Sequence, residues 1–203
     1  FTADDSLLPD GELVLNVTLI EMYNALTELR TLNGQLHEEC SSVSVWGEFT
    51  AAGGTFVASN HDWGKGEDPA KGTLIALAKK PDDGVGWLCT SPIGMMMCSR
   101  GLSEEGLAMG PHGAYPITEE LPEQFYPVAF HTHQVMEGFQ AGMDLPSFVE
   151  GIFQDYTRCL SNNFHYVQAT WPEADGDEVG VVVETDGYED YQDGATLRLP
   201  SDN

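Results

Sequence analysis

The chain has 203 residues, 41% of them hydrophobic, with 22 glycines and 11 prolines, which suits one turn-rich globular domain with a sizeable core rather than a disordered chain. Its 33 acidic side chains against 8 basic ones give a formal charge of -25, and such a surface repels nucleic acid and anionic membranes. No apolar run reaches the roughly 18 residues of a membrane span.

The acidity is read first as a solubility or habitat feature and second as recognition of a cationic partner. No signal peptide is visible, but the chain opens at Phe1, which leaves room for a removed leader. A secreted location, or an acidic or salt-rich compartment, is therefore favoured over the cytoplasm. The four cysteines, Cys40, Cys89, Cys98 and Cys159, are too few for a disulfide scaffold and form no CxxC pair. Cys89 and Cys98 flank a segment that can fold back, so an exported chain could bridge them. Asn16-Val17-Thr18 is a glycosylation sequon at the start of an amphipathic run.

Taken in order, an acidic opening ends in the turn Pro9-Asp10-Gly11. Leu15, Leu19, Met22, Leu26, Leu29 and Leu36 then recur at steps of three and four, which predicts a helix with one apolar face. That face is read as core-facing, with a coiled-coil partner helix as the alternative. Val43, Val45, Trp46 and Phe49 predict a strand, Ala51 to Gly54 a turn, and Thr55 to Ser59 a second strand. This hairpin begins at Cys40 and ends in Asn60-His61-Asp62, so pairing can gather a thiol, an amide, an imidazole and a carboxylate at one end of a sheet.

Further strands are predicted at Thr73 to Ala78, Val85 to Cys89 and Met95 to Cys98, with a break at Ser91 to Gly94. Gly101 to Met109 reads as two strands around a turn. Helices are predicted over Phe130 to Gly142 and, behind Asp144 and Pro146, over Asp144 to Leu160. Asn162-Asn163 is read as a turn, followed by strands at Phe164 to Ala169, Gly180 to Glu184, Tyr188 to Tyr191 and Ala195 to Leu199.

Several residues carry a chemical and a bland reading together. His131 and His133 would share one face of a strand or lie about 200° apart on a helix, and no third ligand lies near, so surface or capping histidines are expected and no metal or other cofactor. Met95 to Met97 reads as core rather than as an acyl pocket. Arg100 either meets a substrate carboxylate or forms a salt bridge, the latter favoured. An isolated cysteine is more often inert and buried than reactive.

The hairpin alters that balance for Cys40. Its Cys-Ser-Ser start, Gly turn and Asn60-x-Asp62-Trp63 end resemble the nucleophile hairpin of N-terminal-nucleophile amide hydrolases, in the branch of penicillin acyltransferase, acid ceramidase and bile-salt hydrolases. Gly101 to Met109 looks like the Asn-Glu-x-Gly-Leu turn of the same family, with Ser103 in place of asparagine. Ser59 stands where the family usually has arginine. The resemblance covers about Leu13 to Asn203 and implies an α+β fold, a four-layer αββα sandwich of mainly antiparallel sheets. It divides the chain into a pre-nucleophile segment, 1–39, and a domain, 40–203, whose C-terminal part is expected to be either shortened or lacking.

By the resemblance, the chain cuts itself at Glu39-Cys40 and the new α-amine serves as base for the Cys40 thiol. Asp62 falls on the catalytic aspartate, and Asn60, Asn163 and Asn203 are candidates for the oxyanion hole. The function implied is a self-processing cysteine amidohydrolase or acyltransferase acting on a small linear amide or acyl substrate. Assembly is expected as a homo-oligomer or a processed heterodimer. The alternative is a catalytically silent member of the fold, acting as a binding or structural subunit.

Overall fold

The computed structural model describes residues 38–51, 54–63, 74–92, 98, 100–113, 128–153, 162–168, 179–185 and 195–202. The amphipathic run from Leu15 to Leu36, Met95 to Met97, Cys159, the predicted strand at Tyr188 to Tyr191 and Asn203 lie outside them. What is described is a mixed α/β domain with a large antiparallel sheet and two helices.

Strands β1 (Glu38–Val45) and β2 (Phe56–Trp63) pair only with each other among the described strands. The seven-stranded sheet follows chain order: β3 (Leu74–Lys79), β4 (Trp87–Pro92), β5 (Arg100–Ser103), β6 (Leu107–Gly113), β7 (Asn162–Gln168), β8 (Gly180–Thr185) and β9 (Ala195–Arg198). Helices α1 (Val128–Gly138) and α2 (Leu145–Phe153) fall between β6 and β7 in the chain.

Alternation sorts the sheet into two faces, because successive strand residues point to opposite sides. Trp87, Cys89, Leu107, Met109, Phe164, Tyr166, Val181 and Val183 turn one way and join Val135, Met136 and Phe139 of the α1 end and Leu145, Val149 and Phe153 of α2 in one buried core. Phe153 is its hub, with ring centroids 5.6 Å from Phe164, 6.3 Å from Tyr166 and 5.2 Å from His131. The hairpin packs on the opposite face, chiefly over β6.

Local chemistry explains most boundaries. Asp144 caps α2: its Oδ1 accepts the Ser147 N–H at 2.8 Å, and bonding from Ser147, by its side chain first and its backbone N–H second, holds the carboxyl below its ordinary pKa. The turn between β5 and β6 has Gly106 at φ 78° and is closed by the Leu107 N–H donating to Ser103 Oγ at 3.0 Å. Serine therefore bonds across this turn from the position at which the resembled family has asparagine. Pro111 pairs with Phe164 on β7, while the pairing of β5 with β6 among the described residues is at Met109 and Ala108.

Four expectations differ from the structure. Phe49 sits in a short 3-10 turn, Gly47–Phe49, rather than in β1, since Gly47 at φ 59° ends the extended run. Ser91 continues β4 as far as Pro92 because it pairs with Ile75. Asn162 and Asn163 are strand residues of β7, held by pairing with Gly113 and His112. His131 is fully buried against Phe153 rather than at the surface, and His133 lies beside Lys79 and edge-on to Trp87.

Candidate functional site

The hairpin reverses the usual polarity of a strand. Val43 and Val45 face outward at 58% and 37% exposure, while Ser42 and Ser44, between them in sequence, are half-buried on the face towards the large sheet. Two parallel contacts result. Ser42 Oγ bonds His112 Nε2 on β6, and Ser44 Oγ lies 3.1 Å from His165 Nε2 on β7. A third tie runs from Thr55 Oγ1 to the Gln168 carbonyl at 3.5 Å. The seam between hairpin and sheet is thus built from hydroxyls and imidazoles.

Gly110 forms the floor of this seam. A Cβ there would lie 3.1 Å from Ser59 Oγ, 3.5 Å from Ser42 Oγ and 3.8 Å from Arg100 Cδ, so three polar side chains converge over the space its hydrogen leaves. Ser59 Oγ is buried there without a hydrogen-bond partner among the described residues. The Arg100 guanidinium is half-buried, and burial lowers its pKa against the opposing pull of Cys40 and Cys98. Burial, and then the Arg100 charge, lowers the pKa of His112. His165 is pushed down to about 4 by burial first and His112 second. The two rings are 6.4 Å apart, so the seam holds two neutral imidazoles near neutrality.

Cys40 is partly exposed and within electrostatic reach of Arg100. Cys89 and Cys98 are thiols buried in the core with no disulfide between them; they contact one another, and burial drives the Cys98 pKa far up. The bridge imagined for an exported chain is not formed.

The register fixes the other residues singled out in the sequence. Cys40 pairs with His61, Ser41 with Asn60, and Glu39 with Asp62. Cys40, Asn60 and Asp62 therefore share one end of the hairpin, with Asp62 one position beyond the partner of Cys40. Asn60 is exposed and has the strand parity of Asp62 rather than of Cys40's partner. Asn163 holds the register position opposite His112.

Two clefts open beside the seam. One, of about 510 Å³, is lined by Ser44, Trp46, His165, Glu184, Arg198 and Asp202. The other, of about 450 Å³, runs from Ser59 and Arg100 along Phe56, Val57, Leu102 and Ala108. No cluster of three potential metal ligands occurs among the described residues.

Comparison with known proteins gives little sequence likeness. No family model matches the chain. No curated protein matches it either. Among solved structures, an N-acylethanolamine-hydrolyzing acid amidase ortholog from Caenorhabditis elegans is similar over 79% of this chain, at 9% identity and a TM-score of 0.43. The chain spans 58% of the length of that protein.

Sequence reasoning missed Ser42, Ser44, Gly110, His112 and His165. A signal existed in the alternation: Leu107, Met109 and Pro111 make one side of β6, which leaves Ala108, Gly110 and His112 for the other. Likewise Phe164 and Tyr166 flank His165 on β7. Serines alternating with valines in β1 gave the opposite hint, because the polar set faces inward.

Proposed function

We propose that the chain is a cysteine-centred amide hydrolase or acyltransferase, with Cys40 as nucleophile, acting on a small linear amide in a four-layer αββα domain of the N-terminal-nucleophile type. The observation that carries this reading is the contrast among the thiols: Cys40 is partly exposed and within electrostatic reach of the Arg100 guanidinium, while Cys89 and Cys98 are sealed in the core. A nearby positive charge favours thiolate, the reactive form of cysteine.

In the proposed reaction the Cys40 sulfur adds to the amide carbonyl carbon, giving a tetrahedral oxyanion. Asn203 is the proposed oxyanion donor, since strand parity turns Asn60 away from Cys40, and a donor of this kind is worth about 3 kcal/mol. Collapse expels the amine, which takes up a proton, and leaves a thioester on Cys40. Water or a second amine then releases the acyl group, which separates hydrolase from transferase. Before turnover, cleavage of Glu39-Cys40 frees an α-amine with an ordinary pKa near 8, suited to accept the thiol proton. Asp62, which pairs with Glu39 across the hairpin, is the group proposed to orient that amine.

Two measurements test the reading together. Intact mass under denaturing conditions should reveal two fragments divided between Glu39 and Cys40, and limited alkylation should label Cys40 at least about tenfold faster than the buried thiols. A chain that stays uncut from mildly acidic to neutral pH, with Cys40 reacting no faster than Cys89, would refute it.

A further inference from the structure

Lys79 closes β3 and pairs with Trp87 at the start of β4, on the side of the sheet that meets the helices. Its Nζ lies 3.2 Å from both ring nitrogens of His133 on α1 and 4.7 Å from the centre of the Trp87 ring. The two rings meet edge-on, 5.0 Å apart, and Trp87 is fixed by its Nε1 donating to Glu137 Oε1 at 3.2 Å. Among the described residues no carboxylate comes within ion-pair distance of this amine, in a chain with 33 acidic side chains against 8 basic ones. Lys80 is the contrast: its side chain is 80% exposed and reaches Glu104 at 3.3 Å.

An amine half-buried between an imidazole and an indole has lost water without gaining a paired counter-ion. Burial lowers the Lys79 pKa, against the opposing pull of Cys89, Glu137 and Cys98. The neutral amine, which is the nucleophile, is therefore more abundant near neutrality than at an exposed lysine.

We propose that Lys79 captures small neutral aldehydes as an imine, with Trp87 and His133 as the walls of the site. The Nζ lone pair forms the bond to the carbonyl carbon, the carbonyl oxygen takes up a proton as the nitrogen gives one up, and loss of water from the carbinolamine leaves a C=N bond. His133, within reach of Nζ, accepts the proton from the nitrogen. Once protonated, the imine carries the same positive charge as the lysine and keeps it near the indole ring, whereas acylation would discard that charge. A net charge of -25 favours a neutral aldehyde over an anionic one. The site lies across the large sheet from the hairpin that carries Cys40, so neither reading depends on the other.

The test exposes the whole folded chain at neutral pH to a limiting amount of propanal with cyanoborohydride, which reduces each imine to a stable propylamine. A chymotryptic peptide holding both Lys79 and Lys80 reports on the two amines at once by tandem mass spectrometry. Lys79 should be propylated at least about fivefold faster than Lys80, although it is the less exposed of the two. In concentrated urea the two should react within about twofold of each other, because the fold alone separates them. His133→Gln, checked for folding by its thermal melt, should slow Lys79 at least about threefold and leave Lys80 unchanged. Lys79→Gln, which discards the charge, should melt at least about 2 °C below Lys79→Arg, which keeps it beside Trp87. Lys80 reacting as fast as Lys79 in the folded chain, a preference that survives urea, or an unchanged Lys79 rate in folded His133→Gln would overturn the proposal. A Lys79→Gln chain as stable as Lys79→Arg would overturn the choice of an aldehyde over an acyl donor.

Discussion

The two faces of the seven-stranded sheet differ in how they are held. The helix side is closed by aromatic and aliphatic contacts, with Phe139, Phe153, Phe164 and Tyr166 all fully buried. The hairpin side is joined by Ser42–His112, Ser44–His165 and the long Thr55 contact, around a glycine and a half-buried arginine. The aromatic and aliphatic contacts that close the helix side carry no charge to gain or lose, whereas a seam of imidazoles depends on their staying neutral. One face is sealed by apolar packing and the other by groups that can take up a proton.

Replacing Phe153 by Ala should break the first face outright, at a cost of about 3–5 kcal/mol, because the fully buried ring contacts His131, Phe164 and Tyr166. Urea unfolding at neutral pH would read this as a large fall in midpoint, and a loss below about 1 kcal/mol would mean that the core closes over the gap.

The second face should respond to acid. The folded pKa of His165, about 4, lies below its ordinary 6.5, so the unfolded chain binds the proton more tightly. Its contribution is therefore fully present above pH 6.5 and is lost as the pH falls towards 4, by at most ~3 kcal/mol. His112 moves in the same direction, and protonating either ring adds charge close to Arg100 or to the other imidazole. Neutralisation of surface carboxylates relieves repulsion over the same range, so the informative quantity is the difference between the unmodified chain and His165→Gln. The unmodified chain should lose more stability between pH 6.5 and 4.5. Parallel curves would mean that the seam tolerates the charge.

The smallest effect expected is at the surface. Lys80 and Glu104 pair at 3.3 Å with side chains 80% and 61% exposed, so Lys80→Ala should shift stability by no more than about 0.5 kcal/mol. Such a variant sets the noise level against which the other two are judged.

Much of the helix side could be read from the sequence. Val181 and Val183, the Phe164-x-Tyr166 spacing and the Asp144 cap signal local preferences that agree with the fold, and the strands and the cap appeared where those residues put them. The hairpin side was harder for a physical reason. In β1 the inward set is serine and the outward set valine, so a rule that sends apolar residues inward points the wrong way. Cys40, Asn60 and Asp62 were legible as neighbours because one register brings them to one strand end. Arg100, Gly110, His112 and His165 come from three other strands, and no local pattern announces a meeting that only sheet stacking creates.

The pairing of β1 with β2 alone also has a kinetic consequence. No backbone ladder among the described strands joins the hairpin to the larger sheet, so its amides can be exposed by an opening that leaves all seven other strands zipped. Hydrogen exchange should therefore divide the chain into two cooperative units, with β1 and β2 taking up deuterium together and ahead of β6, β7 and β8. The strand that carries Cys40 would then belong to the part of the molecule that opens first.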